Sequence, residues 1–381
     1  MKIVADENIA NLEEVFQGPW QILTRPGREI SPQDVQDAEI LLVRSVTKVD
    51  AKLLSGSSVR FVGTATSGTD HIDRAYLQEQ NIDFYAAAGA NANAVVEYVF
   101  CALAQLQVQY DFNWPQARVG IIGAGHIGGR LATILKGLGM DYVIHDPFLD
   151  HHSEHADKLV PLADVLDADV ITLHVPLTVN SPYPTQHLLD TALLRNLPGN
   201  KVLINTSRGA VIDSAALLAR LQVRQDLLTV IDAWENEPDI DLELLNAAAL
   251  TTPHIAGYST DAKRNASELL RAHCSLLPPW QGGSGADPSA ETINIPFYIE
   301  TESILNHCLL AAYSIFEDHL RMQHLLLSQQ PGADFDCLRR EYRQRLEFSH
   351  FRVTCADPLS PWIRHHLKVL GFLVDQEASD R

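Results

Sequence analysis

Three polar side chains in the middle of the chain have the chemistry to oxidise a small 2-hydroxy acid. Arg208 follows the apolar run KVLINTS, Glu237 lies in DAWENEP and His254 in TTPHIAG. A planar guanidinium can grip a carboxylate with two hydrogen bonds and orient the carbon next to it. An imidazole can take the hydroxyl proton as hydride leaves that carbon. A carboxylate beside the ring favours its protonated form and fixes its orientation. Taken singly, these residues read as a loop arginine, a surface carboxylate before Pro238 and a capped loop histidine. Together, each placed after an apolar run and downstream of a nucleotide-type turn, they read as one site.

That turn is Gly123-Ala-Gly125-His-Ile-Gly128. The GxGxxG pattern alone is weak, but here the apolar run VGIIG feeds it and the helical stretch GGRLATILKGLG leaves it. Glycines in this setting let the backbone approach a pyrophosphate, and the helix start offers N–H groups and the positive end of a dipole. A second apolar run, YVIH, ends in Asp146, about twenty residues further on, where a carboxylate can accept hydrogen bonds from a ribose 2′-hydroxyl. It would repel a 2′-phosphate, and no arginine follows in HDPFLD. The expected cofactor is NAD, not NADP. A glycine-rich turn with a surface aspartate is the plainer alternative.

The elements that must position these groups alternate between strand and helix. Residues 2–6, 21–23, 40–43, 61–64 and 82–85 read as strands, and 94–108 as a long apolar helix. From residue 118 a second block carries VGIIGAG, YVIHD, VITLHVP, KVLINTS and LTVIDAW, then a helix over 260–277. PPWQGGSGADPS (278–289) reads as a linker or exposed loop. Residues 303–327 read as one long helix, followed by an arginine-rich stretch and a short mixed tail. Such alternation predicts an α/β protein: two Rossmann-like doubly wound parallel-sheet domains and a small C-terminal α+β domain. The expected boundaries are 1–93 plus 256–280 for a substrate-binding domain, 94–255 for an NAD-binding domain and 286–381 for the C-terminal one.

Composition narrows the function classes. The chain has 381 residues, 46% hydrophobic and 20% charged, with a formal net charge of −19. Nucleic acid and anionic membranes both need basic faces, so neither is expected as a partner. The start MKIVADENIA does not read as a signal peptide, and no apolar run is long enough for a membrane span, so the cytoplasm is the expected compartment. Cys101, Cys274, Cys308, Cys337 and Cys355 form no CxxC pair and are expected to be buried, reduced thiols. His151, His152 and His155 sit close together, but hydride transfer needs no metal and none is expected.

GIIGAGHIG, INTSRGAVID, DAWENEP and TTPHIAG resemble, in order, the signatures of the D-isomer-specific 2-hydroxyacid dehydrogenases. The resemblance implies Arg208, Glu237 and His254 as the catalytic set and Asp232 at the nicotinamide end. It assigns cofactor binding to Gly123, Gly125, His126, Ile127, Gly128, Asp146, Val175 and Gly257 as well. Formate-oxidising members carry glutamine where Glu237 stands, which argues against that branch. MKIVADENI, LLVRSVTKVD, VGTATSGTDHID, NANAVVEYV and the C-terminal segment resemble a branch that oxidises 4-phospho-D-erythronate to (R)-3-hydroxy-2-oxo-4-phosphooxybutanoate on the route to pyridoxal 5′-phosphate. That implies Ser45, Ser67 and Tyr258 as substrate contacts and a homodimer joined through 286–381. Arg44-Ser45 and Ser67-Gly68-Thr69 follow strands and carry groups that suit a phosphate or carboxylate, although ordinary turn chemistry would use the same residues. The alternatives are a 3-phosphoglycerate dehydrogenase and an NAD(H)-sensing interaction protein of the same fold. Arg339, Arg340, Arg343 and Arg345 read as a solvated helix face; the sharper alternative is an arginine that reaches a partner subunit's substrate phosphate.

Overall fold

Runs such as ILLV and VGII are apolar at every position, which suits strands covered on both faces. They form such strands in the computed structural model, which describes residues 1–149, 153–279, 290–296, 299–300 and 303–375. Contacts divide the chain into two units, one of Met1–Asn91 with Ser259–Asp287, the other of Ala92–Tyr258 with Pro288–Arg381.

The first unit holds a parallel sheet of β1 (Lys2–Asp6), β2 (Gln21–Arg25), β3 (Ile40–Val43), β4 (Phe61–Thr64) and β5 (Asp83–Ala86), in the order β2-β1-β3-β4-β5. Successive strand residues alternate between two cores. Ile3, Ala5, Ile40, Leu42 and Phe61 pack with Ala266 and Leu270 of the helix Thr260–His273. Val4, Leu41, Val43 and Val62 pack with Val35, Leu53 and Leu77 on the other face. The strand order reverses between β1 and β3, where open α/β sheets place their ligands. There the buried Asp6, ending β1, pairs with Arg44 Nε at 3.1 Å.

The second unit is built on β6 (Val119–Ile122), β7 (Tyr142–His145), β8 (Val170–Leu173), β9 (Lys201–Asn205), β10 (Leu227–Ile231) and β11 (Leu250–Thr251), all parallel, in the order β11-β10-β9-β8-β6-β7. Ile121, Val170, Val202 and Val230 enter one core and Ile122, Ile171, Leu203 and Ile231 the other. The long helix Ala92–Tyr110 lies in the first of these. A small parallel sheet of β12 (Glu291–Ile295), β13 (Phe351–Cys355) and β14 (Leu373–Val374) follows. Ile293, Leu305, Leu309, Phe348, Val353 and Leu367 share a core with Val99 and Leu103, so the C-terminal segment groups with the nucleotide unit.

One element differs from expectation. Residues 303–327 are two helices, Ile304–Ala312 and Ile315–Gln323, with a tight turn over His324–Leu327. At the break Tyr313 is extended and buried, and its hydroxyl donates to Asp318 at 2.9 Å. No glycine or proline marks the place. Of the cysteines, Cys101, Cys274 and Cys308 are buried, whereas Cys337 and Cys355 are only partly covered. No helix among the described residues is long and apolar enough to cross a membrane. His151 and His152 lie outside the described residues.

Candidate active site

The nucleotide turn sits where the second sheet reverses its strand order, between β6 and β8. Gly123 has φ +90, and a Cβ there would lie 2.7 Å from Val175 Cγ1 and 2.8 Å from the His174 carbonyl. A Cβ on Gly128 would meet the Gly123 carbonyl at 1.9 Å. Gly125 is different: nothing lies within 4 Å of where its Cβ would be. It also caps the helix His126–Gly137 without a side chain to occupy the leading N–H groups. The turn is thus crowded by protein at its two ends and open at its tip, as an anion held by a helix start requires. Asp146 reaches back to it, since Oδ2 accepts from Ala124 N at 2.8 Å and Oδ1 from Phe148 N at 2.9 Å. These residues fit a dinucleotide with its pyrophosphate at the tip and a ribose beside Asp146.

Three loops beyond β9, β10 and β11 are stitched together. Asn205 Nδ2 donates to the carbonyls of Arg208 at 3.1 Å and Ala233 at 3.3 Å. Gly209 packs so closely on Trp234 that an added Cβ would fall 1.8 Å from its carbonyl carbon. Arg208 is therefore held against the turn after β10; its Nη1 donates to the Ser207 carbonyl at 2.8 Å. The Trp234 indole donates to the Thr252 carbonyl at 2.9 Å, linking that turn to the histidine loop.

Asp232 organises the histidine loop from beneath. Its Oδ1 accepts from Thr252 Oγ1 at 2.6 Å and Ile255 N at 2.7 Å, and its Oδ2 from Ala256 N at 3.0 Å. Burial raises its pKa, against the pull of His254 and these hydrogen bonds. Immediately before the two backbone donors stands His254, at φ 56 in the left-handed region, a conformation that non-glycine residues hold only where their surroundings impose it. Its Nδ1 faces both oxygens of Glu237 at 2.9 Å. Glu237 Oε1 also accepts from Trp234 N at 2.8 Å. Burial disfavours the Glu237 carboxylate, but His254 and Arg339 outweigh it and its pKa falls below the usual glutamate value. With Nδ1 on a carboxylate, Nε2 is the nitrogen left for a substrate proton.

A second histidine by the site, not singled out from sequence, is His174. Burial pushes its pKa down to about 3, and it lies 3.0 Å from Thr172 Oγ1 and 3.4 Å from Thr206 Oγ1. It stays neutral at working pH, so it is a packing and hydrogen-bonding group rather than the proton carrier. In the first unit Ser45 and Ser67 are both exposed after β3 and β4, and Ser67 Oγ donates to Asn91 Oδ1 at 2.9 Å.

The C-terminal arginines correct the solvated-face expectation. Arg340 is 62% exposed and Arg343 pairs with Glu317. Arg345, however, is 5% exposed and donates through Nη2 to the carbonyls of Ala94 at 3.1 Å and Ala256 at 2.6 Å. Arg339, 18% exposed, lies at the catalytic pair itself, 3.6 Å from Glu237 Oε2, and donates to the Tyr258 hydroxyl at 3.3 Å. An i, i+4 pattern within the helix could not reveal either placement, because both depend on partners far away in sequence.

The two parallel sheets, the glycine turn and the Arg–Glu–His set define an NAD-dependent D-2-hydroxyacid dehydrogenase. Residues 104–256 match the family model described as D-isomer specific 2-hydroxyacid dehydrogenase, NAD binding domain. The chain belongs to the erythronate-4-phosphate dehydrogenase family: it is 43% identical over 364 residues to such an enzyme from Saccharophagus degradans, covering 94% of this chain and 96% of that one. A second, from Cellvibrio japonicus, is 41% identical over 98% of this chain and 99% of its own. The fold is also that of NAD+-bound 3-phosphoglycerate dehydrogenase from Entamoeba histolytica, with TM-score 0.60, 24% identity and coverage of 71% of this chain and 93% of that one.

Proposed function

We propose that the chain oxidises 4-phospho-D-erythronate to (R)-3-hydroxy-2-oxo-4-phosphooxybutanoate, a step toward pyridoxal 5′-phosphate. The observation that carries this reading is the His254–Glu237 pair held beside the Arg208 loop, in a chain of this family over nearly its whole length. NAD, held by Gly123, Gly125, His126, Ile127, Gly128, Asp146, Val175 and Gly257, supplies the hydride acceptor. Arg208 grips the substrate carboxylate and orients its C2 hydrogen. His254 takes the C2 hydroxyl proton at Nε2, and Glu237 stabilises the cation that forms. Asp232 holds the histidine loop at the nicotinamide end of the site. Ser45, Ser67 and Tyr258 contact the substrate, the two serines supplying the hydroxyls a phosphate needs. Residues 286–381 form the dimerisation domain, 1–93 with 256–280 the substrate domain and 94–255 the NAD domain.

The test is a comparison of kcat/KM, with NAD, for 4-phospho-D-erythronate, unphosphorylated erythronate and 3-phosphoglycerate. The first should lead both others by at least tenfold. Preference for 3-phosphoglycerate overturns the substrate assignment. No turnover of any hydroxy acid, with an oligomeric state that responds to NAD, favours a sensing role instead.

A further inference from the structure

Arg339 is buried beside two groups of the site, and its position is set by packing. In the first turn of the helix Pro331–Arg340 lies Gly332, where a Cβ would lie 2.4 Å from Asp239 Oδ1, just beyond Glu237. One turn before Arg339 on the same face, Phe335 is fully buried in the core that contains Trp234 and Leu244. The Arg339 guanidinium carbon lies 6.0 Å from the centre of that ring. Helix and site are therefore docked by a close backbone approach and an aromatic anchor, and the guanidinium is delivered to the far side of the Glu237 carboxylate. Its Nε has no hydrogen-bond partner among the described residues. A buried cation with an unsatisfied N–H is a poor device for stability alone.

We propose that Arg339 is a positioning residue of the hydroxy-acid oxidation, bracing Glu237 against His254 and fixing the Tyr258 hydroxyl. The inference rests on His254 being the base. The charged and titratable groups around the ring are Asp232 and Glu237 from the turn after β10, Tyr258 from its own loop and Arg339 from the C-terminal helix. Glu237 holds the ring through Nδ1, and Asp232 holds the loop that carries it. The guanidinium is the opposing charge. It draws on the Glu237 carboxylate, so its removal leaves that charge uncompensated beside the base. The group comes from a segment outside residues 104–256 that match the family's NAD-binding model.

The experiment compares wild type, Arg339→Gln, Arg339→Lys and the exposed control Arg340→Gln. Each is assayed for NADH formation from 4-phospho-D-erythronate across pH, alongside NADH binding and thermal unfolding. Arg339→Gln should lose about tenfold or more in kcat with NADH affinity unchanged. The acid limb of its kcat/KM profile should move to higher pH by about half a unit or more. Arg339→Lys keeps the charge and should return that limb to the wild-type position with kcat still reduced, and Arg340→Gln should match wild type. Equal loss at every pH, with the limb unmoved, makes Arg339 structural and overturns the proposal, as does wild-type kcat in Arg339→Gln. Should the Gln variant not fold, Arg339→Lys decides: a fixed limb with lower kcat supports the role, and a displaced limb or unchanged kcat refutes it. Wild type inactive on 4-phospho-D-erythronate would sink the substrate assignment; the Arg339 comparison then runs on whichever hydroxy acid the wild type oxidises.

Discussion

His254 carries a backbone conformation that costs about 1–3 kcal/mol for a non-glycine residue, and Asp232, through Ile255 N and Ala256 N, maintains it. The arrangement aims Nδ1 at Glu237 and leaves Nε2 for the substrate. Glu237 has a folded-state pKa below its ordinary value, so its ionised form is the one the fold favours. Its contribution to stability is present above the ordinary glutamate range and is lost as pH falls through the depressed folded value. Urea unfolding of wild type and Glu237→Gln from about pH 7 to about pH 3 should show a wild-type advantage that shrinks with acidification. A constant difference would mean that Glu237 is not ionised in the fold. With Arg208 proposed to orient the substrate, Arg208→Ala should cost about 2–4 kcal/mol of transition-state stabilisation, read as kcat/KM. Activity within about twofold of wild type would exclude that role.

At the scale of elements, the β6–turn–helix unit ties specificity to shape. Asp146 accepts from Ala124 N, so the carboxylate proposed to meet the ribose also fixes the glycine turn. Asp146→Ala should lower the NAD-over-NADP ratio of kcat/KM by about tenfold or more, since one charge repelling a phosphate is removed. An unchanged ratio would place the ribose contact elsewhere. Most strands of the two large sheets were legible, because burial on both faces leaves solid apolar runs such as ILLV (40–43) and VLI (202–204); the two-residue β11 (Leu250–Thr251) is too short to leave such a run. That Arg208, Glu237 and His254 lie in loops past the ends of strands was legible from their places after KVLINTS, LTVID and before IAG, and the structure brings Glu237 and His254 together. What could not be read was set by distant contacts. The break at Tyr313 depends on a buried hydroxyl finding Asp318, with no glycine or proline to signal it. Arg339 looks like any surface arginine until Phe335, one turn before it, is seen buried in the core that also holds Trp234. Asn205 and Gly209, which hold the Arg208 loop, read only as a strand end and a turn glycine.

At the scale of the molecule, the C-terminal segment completes a core rather than adding one. Ile293, Leu305, Leu309, Phe348, Val353 and Leu367 bury against Val99 and Leu103 of the helix Ala92–Tyr110, and Phe335 against Trp234. Each such side chain is worth about 1.5–3 kcal/mol when fully buried, and a domain's whole stability is about 5–15 kcal/mol. Losing these seven together, and uncovering their partners on the long helix, removes most or all of that margin. A chain ending at residue 287 should therefore fail to show a cooperative thermal transition and should expose apolar surface to a hydrophobic dye. A truncated chain that unfolds cooperatively within about 5 °C of the full one would show the segment to be an independent appendage. The dependence also bears on catalysis, because the segment that closes this core brings Arg339 to the Glu237–His254 pair. A core that needs the segment after residue 287 to form cannot present the complete Arg339–Glu237–His254 arrangement without it.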